Sequence, residues 1–177
     1  DSGAGSLRQA ILDVPGSGGH TITFASNVVG TITLTSGELA LTTDVTITGP
    51  GANILTVSGN NTSGVFHVSN GVSQIANLRI ANGYALAGGG GIAMNGGTLT
   101  VSACTITGCY AQDIAGSQGG GAIAVVGAAN LTIIGSTISS NTTPYYGGGL
   151  YLFNAPTVSL VNSTVSGNRT LDGSFGE

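Results

Sequence analysis

Three blocks in the second half of the chain share one internal order, and that order limits the fold more than any other feature. They read GGGIAMNGGTLTVSACTITGC from Gly89, GGAIAVVGAANLTIIGSTISSN from Gly120 and GGGLYLFNAPTVSLVNSTVSGN from Gly147. Ile92, Ile123 and Leu150 correspond, at intervals of 31 and 27, and Ile106, Ile138 and Val165 correspond at 32 and 27. Working back, Ile80 in LRIANG and Val57 in LTVSGN fall in the second column, at intervals of 26 and 23. A fixed motif order at a period of 23 to 32 residues marks a solenoid whose loops absorb the differences in length. At least five coils are expected.

Within a coil the alternation has period two. Leu99 and Val101 fall on one side with Thr98 and Thr100 on the other, then Cys104 and Ile106 oppose Thr105 and Thr107. Each coil then holds about three short strands. Burying about six aliphatic side chains at about 1.5 to 3 kcal/mol each does not offset about 1 to 2 kcal/mol per ordered residue, so a lone coil is unstable. Stacking resolves this, because each strand pairs in parallel with its equivalent in the next coil and the interior positions join into aliphatic columns. An antiparallel sandwich also accommodates short alternating strands, but not this conserved internal order. The expected fold is an all-β, single-domain right-handed parallel β-helix, a solenoid of the pectate-lyase-like kind, spanning residues 1–177, with coils from about residue 20 onward.

The ends differ. Leu7, Ala10, Ile11 and Val14 lie at helical spacing, with Ser6 as N-cap and Pro15–Gly16 as the stop, which predicts a helix over residues 6–14. Laid over the first coil, it would act as a cap. No such segment follows the last turn, and that end is expected to be bare, either because the chain is a fragment or because it is a filament subunit.

Composition removes several function classes. Only 10 of 177 residues are charged, the net charge is −4, and Arg8, Arg79 and Arg169 are too dispersed for the basic stripe a nucleic acid needs. Gly, Ser, Thr or Asn interrupts every apolar run, so no membrane span is expected. Cys104 and Cys109 are compatible with a bridge or with two buried thiols; a bridge requires a turn between them to bring the Cα atoms within about 7 Å.

GSLRQAI at Gly5–Ile11, followed by TITF, GTITLTSGEL and TITGPGANILTVSGNN, resembles bacterial surface β-helix proteins whose amino-terminal motif ends in SLREAI. Here Gly5 stands at the motif's usual Cys and Gln9 at its usual Glu. GGAI at Gly120–Ile123, with ISSN and VSGN ending at Asn141 and Asn168, resembles the repeats of polymorphic outer-membrane proteins, although the F of the FxxN turn is aliphatic here. The resemblance implies an exported, extracellular or cell-surface protein, often adhesive or self-associating, and it carries no catalytic residue.

Three sets of candidate site residues follow. Asn60, Asn141 and Asn168 share one turn position, with Gly83 and Cys109 there in other coils, and predict a partial asparagine ladder. Thr56 and Ser58, Thr105 and Thr107, Thr137 and Ser139, Thr164 and Ser166 form an outward hydroxyl grid interrupted by Arg79 and Ala81. Coils about 4.8 Å apart would let such a grid order water or lie against a glycan, although Thr is also an ordinary exposed strand residue. Tyr84, Tyr110, Tyr145 and Tyr146 follow the turns and are candidates for an aromatic flank suited to sugar or a partner subunit. The N-x-S/T triplets at Asn60, Asn61, Asn130, Asn141, Asn162 and Asn168 are expected by chance in this composition.

Catalysis on such a scaffold wants clustered carboxylates. Asp1, Asp13, Glu38, Asp44, Asp113, Asp172 and Glu177 place no two internal acids in one visible coil position, and His20 and His67 read as isolated. The expectation is a non-enzymatic extracellular structural or adhesive rod that assembles end to end with itself or contacts surface glycans, without metal or cofactor. A glycan- or ice-binding module and a polysaccharide-degrading enzyme are the alternatives.

Overall fold

The computed structural model describes residues 1–16, 18–112 and 119–171. Every strand pairing is parallel, and the strands group into four sheets wound as a right-handed helix of five complete turns and a sixth begun. Sheet A comprises His20–Thr23, Val45–Thr48, Val72–Ala76, Thr98–Ser102, Asn130–Ile134 and Thr157–Val161. Sheet B comprises Gly30–Thr33, Leu55–Ser58, Arg79–Ala81, Thr105–Thr107, Thr137–Ser139 and Thr164–Ser166. Sheet C comprises Leu39–Leu41, Phe66–Val68, Ile92–Met94, Ile123–Val126 and Leu150–Phe153. A fourth sheet of two-residue strands, D, begins at Tyr84–Ala85 and ends at Arg169–Thr170.

Alternation decides which residues face inward. In Thr98–Ser102, Leu99 and Val101 are fully buried while Thr98, Thr100 and Ser102 are partly exposed. Stacked in register, the inward residues form continuous columns: Ile22, Ile47, Ile75, Val101, Ile133 and Leu160 in sheet A. In sheet B the column runs Ile32, Val57, Ile80, Ile106, Ile138 and Val165, which is the repeat column read from sequence with Ile32 added before it. The first-column residues Ile92, Ile123 and Leu150 pair in sheet C, preceded by Phe66 and Leu39.

The helix spans Leu7–Leu12, shorter than the 6–14 expected, because Asp13 closes it as C-cap and its N–H bonds to Gln9 O. Ser6 caps the start by accepting the Gln9 N–H at 3.1 Å. Leu7 and Ile11 bury themselves against the sheet C end of the first coil. Arg8 and Asp1 tie the cap down: the guanidinium pairs with the Asp1 carboxylate at 2.8 Å and donates to Glu38 O at 2.8 Å. The Asp1 carboxylate also accepts from Thr35 and Ser36.

No helix is long and apolar enough to cross a membrane among the described residues.

Turn ladders and candidate contact surfaces

Two ladders of polar side chains run along the inside of the turns. At the corner after sheet B, Cys109 N–H donates to Asn141 Oδ1 at 2.9 Å, and Asn141 N–H donates to Asn168 Oδ1 at 3.0 Å. The Asn141 amide returns donors to the carbonyls of Ile106 and Ser139, both at 3.0 Å, and Asn168 does the same to Ile138 at 2.9 Å. Asn141 is fully buried, and its bonds to Cys109 N–H and Ile106 O form where water cannot replace them.

Asn60 does not join this ladder. The turn at Gly59 is three residues longer, with Thr62 and Ser63 N–H both bonding back to Gly59 O; Tyr84 N–H bonds to Ser63 O as Tyr110 N–H does to Gly83 O, so Ser63 takes the ladder position and Asn60 is carried outward to an exposed position at φ +56°. Asn60 instead plays the left-handed role that Asn82, Gly108, Ser140 and Gly167 fill in later coils.

A second ladder, unread in the sequence, occupies the corner between sheets A and B. Cys104 N–H donates to Ser136 Oγ at 3.1 Å, and Ser136 N–H donates to Ser163 Oγ at 3.2 Å. A serine three residues beyond each sheet A column, in GST and NST, was the available signal.

The two cysteines are where both ladders change character. Each sulfur does what the oxygen does one coil later: Cys104 Sγ lies 3.5 Å from Ile75 O and takes the Leu78 N–H, and Cys109 Sγ takes the Gly83 N–H. Both thiols are free and buried. Burial pushes each thiol up from 9.0 to about 11, against the smaller opposing effect of these backbone donors. The consequence for stability has a definite sign. Between pH 9 and about 11 the unfolded chain loses these protons while the folded chain keeps them, so stability falls as pH rises through that window. Urea titrations at pH 8 and pH 10.5 should show a loss of roughly 2 to 4 kcal/mol for the two thiols together. Cys104→Ser is expected to be nearly neutral at pH 8, since the hydroxyl continues the serine ladder, and to remove about half of the alkaline loss.

The hydroxyl grid forms as a register. Thr56, Arg79, Thr105, Thr137 and Thr164 make one outward column of sheet B, and Ser58, Ala81, Thr107, Ser139 and Ser166 the other, with Thr31 and Thr33 extending both into the first coil. Ser58 and Ala81 are exceptions, each 4% exposed; the wide Gly59–Ser63 turn covers Ser58, whose hydroxyl accepts the Asn60 N–H. Sheet A carries a further polar column, Thr21, Thr46, Gln74, Thr100, Thr132 and Ser159, with no charged residue in any of its six strands.

The tyrosines do not form one flank. Tyr84 and Tyr110 stack at 5.9 Å between ring centroids in sheet D, where Thr142 and Arg169 continue the column. Tyr146 lies instead against Tyr151 at 6.4 Å, and Tyr145 precedes it in the same connection.

His67 is not isolated. Its Nδ1 lies 3.1 Å from Glu38 Oε1, on the outer face of sheet C, where Ala40, His67, Ala93, Ala124 and Tyr151 form a column. The two residues are 29 apart in sequence, close to one turn of the helix, which is why no local motif displays them. Asp113, Asp172 and Glu177 lie outside the described residues, and among those described no three His, Cys, Asp or Glu side chains gather to hold a metal.

The family described as "Right handed beta helix region" matches residues 19–171. The chain belongs to that family. No curated protein and no solved structure matches the chain. As a right-handed β-helix, the chain shares an architecture that serves many functions, so function must be argued from the surfaces above.

Proposed function

We propose that this β-helix is an extracellular structural and adhesive rod, working by contact and not by turnover. The observation that carries the reading is the unbroken aliphatic columns through all six coils, reinforced in the later coils by the pair of ladders, with outer faces of hydroxyls that carry almost no charge. A stack of this kind is stiff along its length, and its Thr- and Ser-rich faces offer donors and acceptors at about 4.8 Å intervals to a polysaccharide or another hydroxylated surface. The resemblance of Gly5–Ile11 and of the Gly-Gly-aliphatic coils to exported surface proteins supports the extracellular setting.

Adhesion through uncharged faces should be insensitive to salt. The purified chain is expected to bind polysaccharide-coated surfaces saturably, with retention unchanged between 0.05 and 0.5 M NaCl, and to leave the polysaccharide intact. Release of reducing ends or unsaturated sugars would overturn the reading and favour a polysaccharide-degrading enzyme. Loss of retention in Thr105→Ala/Thr137→Ala would place the contact on sheet B; unchanged retention there, with loss in Thr100→Ala/Thr132→Ala, would place it on sheet A.

A further inference from the structure

His67 and Glu38 stand beside a cavity on the outer face of sheet C. The chain has two histidines and ten charged residues in 177, and one of each meets there, Nδ1 to Oε1 at 3.1 Å. Gly64 leaves room for the contact, since a β-carbon at that position would lie 2.9 Å from Glu38 Oε2. On the outward column His67, Ala93, Ala124 and Tyr151 the two middle residues are small, and the space they leave belongs to a cavity of about 240 Å³. Asn95 and Val126, each two residues further along the same face, add to its walls.

The fold leaves the polar groups of this cavity unused. Glu38 holds Nδ1 of His67, and among the described residues neither Nε2 nor the exposed side-chain amide of Asn95 has a protein partner. An imidazole fixed through Nδ1 offers Nε2 as an acceptor when neutral and as a donor when protonated, and an amide offers both. A hydroxyl satisfies either group. The remaining surface is apolar, formed by the methyls of Ala93 and Ala124 and the Val126 side chain. Charged ligands find no counterpart: the Glu38 carboxylate is committed to His67, and Arg8, which reaches the Glu38 carbonyl, is engaged by Asp1 and by backbone carbonyls. The lining therefore complements an uncharged molecule with one apolar face and a rim of hydroxyls. At about 240 Å³ the cavity is smaller than the roughly 300 to 1,000 Å³ of clefts that take drug-sized ligands, which limits it to a single ring.

We propose that this cavity binds a single neutral pyranose unit of a polysaccharide. The C–H face of the ring lies on Ala93 and Ala124, and its hydroxyls bond to His67 Nε2 and to the Asn95 amide. Glu38 is a positioning residue that fixes the imidazole and touches no sugar. The choice of a saccharide rests on the adhesive reading, but the site is distinct from the hydroxyl faces of sheets A and B. Those faces would hold a polymer through many contacts, whereas the cavity holds one unit, so the two fail separately. A chain retained on polysaccharide surfaces that binds no single sugar refutes the cavity alone. A chain that binds the sugar but is not retained refutes the adhesive reading alone.

The test is an NMR titration of the whole chain with methyl glycosides of neutral hexoses. At least one should shift the Ala93 and Ala124 methyl signals and the His67 imidazole signals saturably, with a dissociation constant on the order of millimolar, and a methyl glucuronoside should not. Ala93→Leu fills the cavity from a partly exposed position and should weaken binding by about tenfold or more. Asn95→Ala removes one hydrogen-bonding group and should cost about threefold to tenfold. Glu38→Gln keeps an oxygen for the Nδ1–H and should bind within about twofold of the unaltered chain, whereas Glu38→Ala frees the ring and should lose about fivefold. No saturable shift from any neutral glycoside at about 100 mM, or unchanged binding in Ala93→Leu, would overturn the proposal. Equal binding of the glucuronoside would overturn it too, since the lining holds no charge to receive a carboxylate. Should Ala93→Leu melt early, the unaltered protein decides: shifts centred on His67, Ala93 and Ala124 support the cavity, and shifts that spare them refute it.

Discussion

Replacing Asn141 by leucine should cost about 3 to 5 kcal/mol. The side chain is fully buried, accepts the Cys109 N–H at 2.9 Å and donates to two carbonyls at 3.0 Å. Leucine is similar in volume and supplies none of these partners, so a backbone donor and two acceptors are left buried in a corner closed to water, at about 1 to 3 kcal/mol for each group left unsatisfied. Leucine's gain in apolar burial offsets part of that loss. Equilibrium urea unfolding measures the difference directly. Asn60→Leu is the matched control: that residue is exposed in a left-handed turn, where the cost is local strain of roughly 1 to 2 kcal/mol. Equal costs at the two positions would show that the ladder contributes nothing beyond turn geometry.

Gly83→Ala should be at least as damaging. A methyl group there would fall inside the contact distance of the Gly90 carbonyl, and neither partner is a flexible side chain that can swing away. The chain passes itself backbone to backbone at this corner, and the same closeness recurs at Gly119, whose added methyl would meet the Tyr146 carbonyl. Overpacking against fixed backbone is expected to cost about 3 kcal/mol or more. Gly135→Ala isolates the other contribution. It has open space around it and φ +55°, so only conformational strain of about 1 kcal/mol should appear. Thermal melting of the three proteins would rank them unaltered, Gly135→Ala and Gly83→Ala in falling order.

These two corners also show how much of the fold was legible in the sequence. The aliphatic columns were, because an inward-facing residue every coil leaves a periodic trace: Val57, Ile80, Ile106, Ile138 and Val165 pair as their spacing implies. Three to five residues of alternation determine the face of each strand. Corner chemistry was less legible, because residues added in a turn reassign every position after them. Asn60 matches Asn141 by count, yet the wider turn at Gly59 turns it outward and covers Ser58. The serine ladder was hidden for the opposite reason, since Ser136 and Ser163 sit among so many Ser and Thr residues that none stands out. Contacts between coils, such as His67 with Glu38, depend on the exact length of one turn, which the loose period does not supply.

The outer surface follows a simpler rule. With ten charged residues in 177, alternation puts Thr, Ser and small residues outside almost by default. Specificity on such a surface must come from spacing, since charge is nearly absent. That is why the stiffness of the stack matters to the proposed function: in-register parallel pairing holds the outward columns at a regular repeat.

The rod account is tested most directly by retention of the purified chain on polysaccharide-coated surfaces across a range of salt. It predicts saturable retention that is unchanged between 0.05 and 0.5 M NaCl and leaves the polysaccharide intact. No retention at any salt, or release of reducing ends or unsaturated sugars, would contradict it.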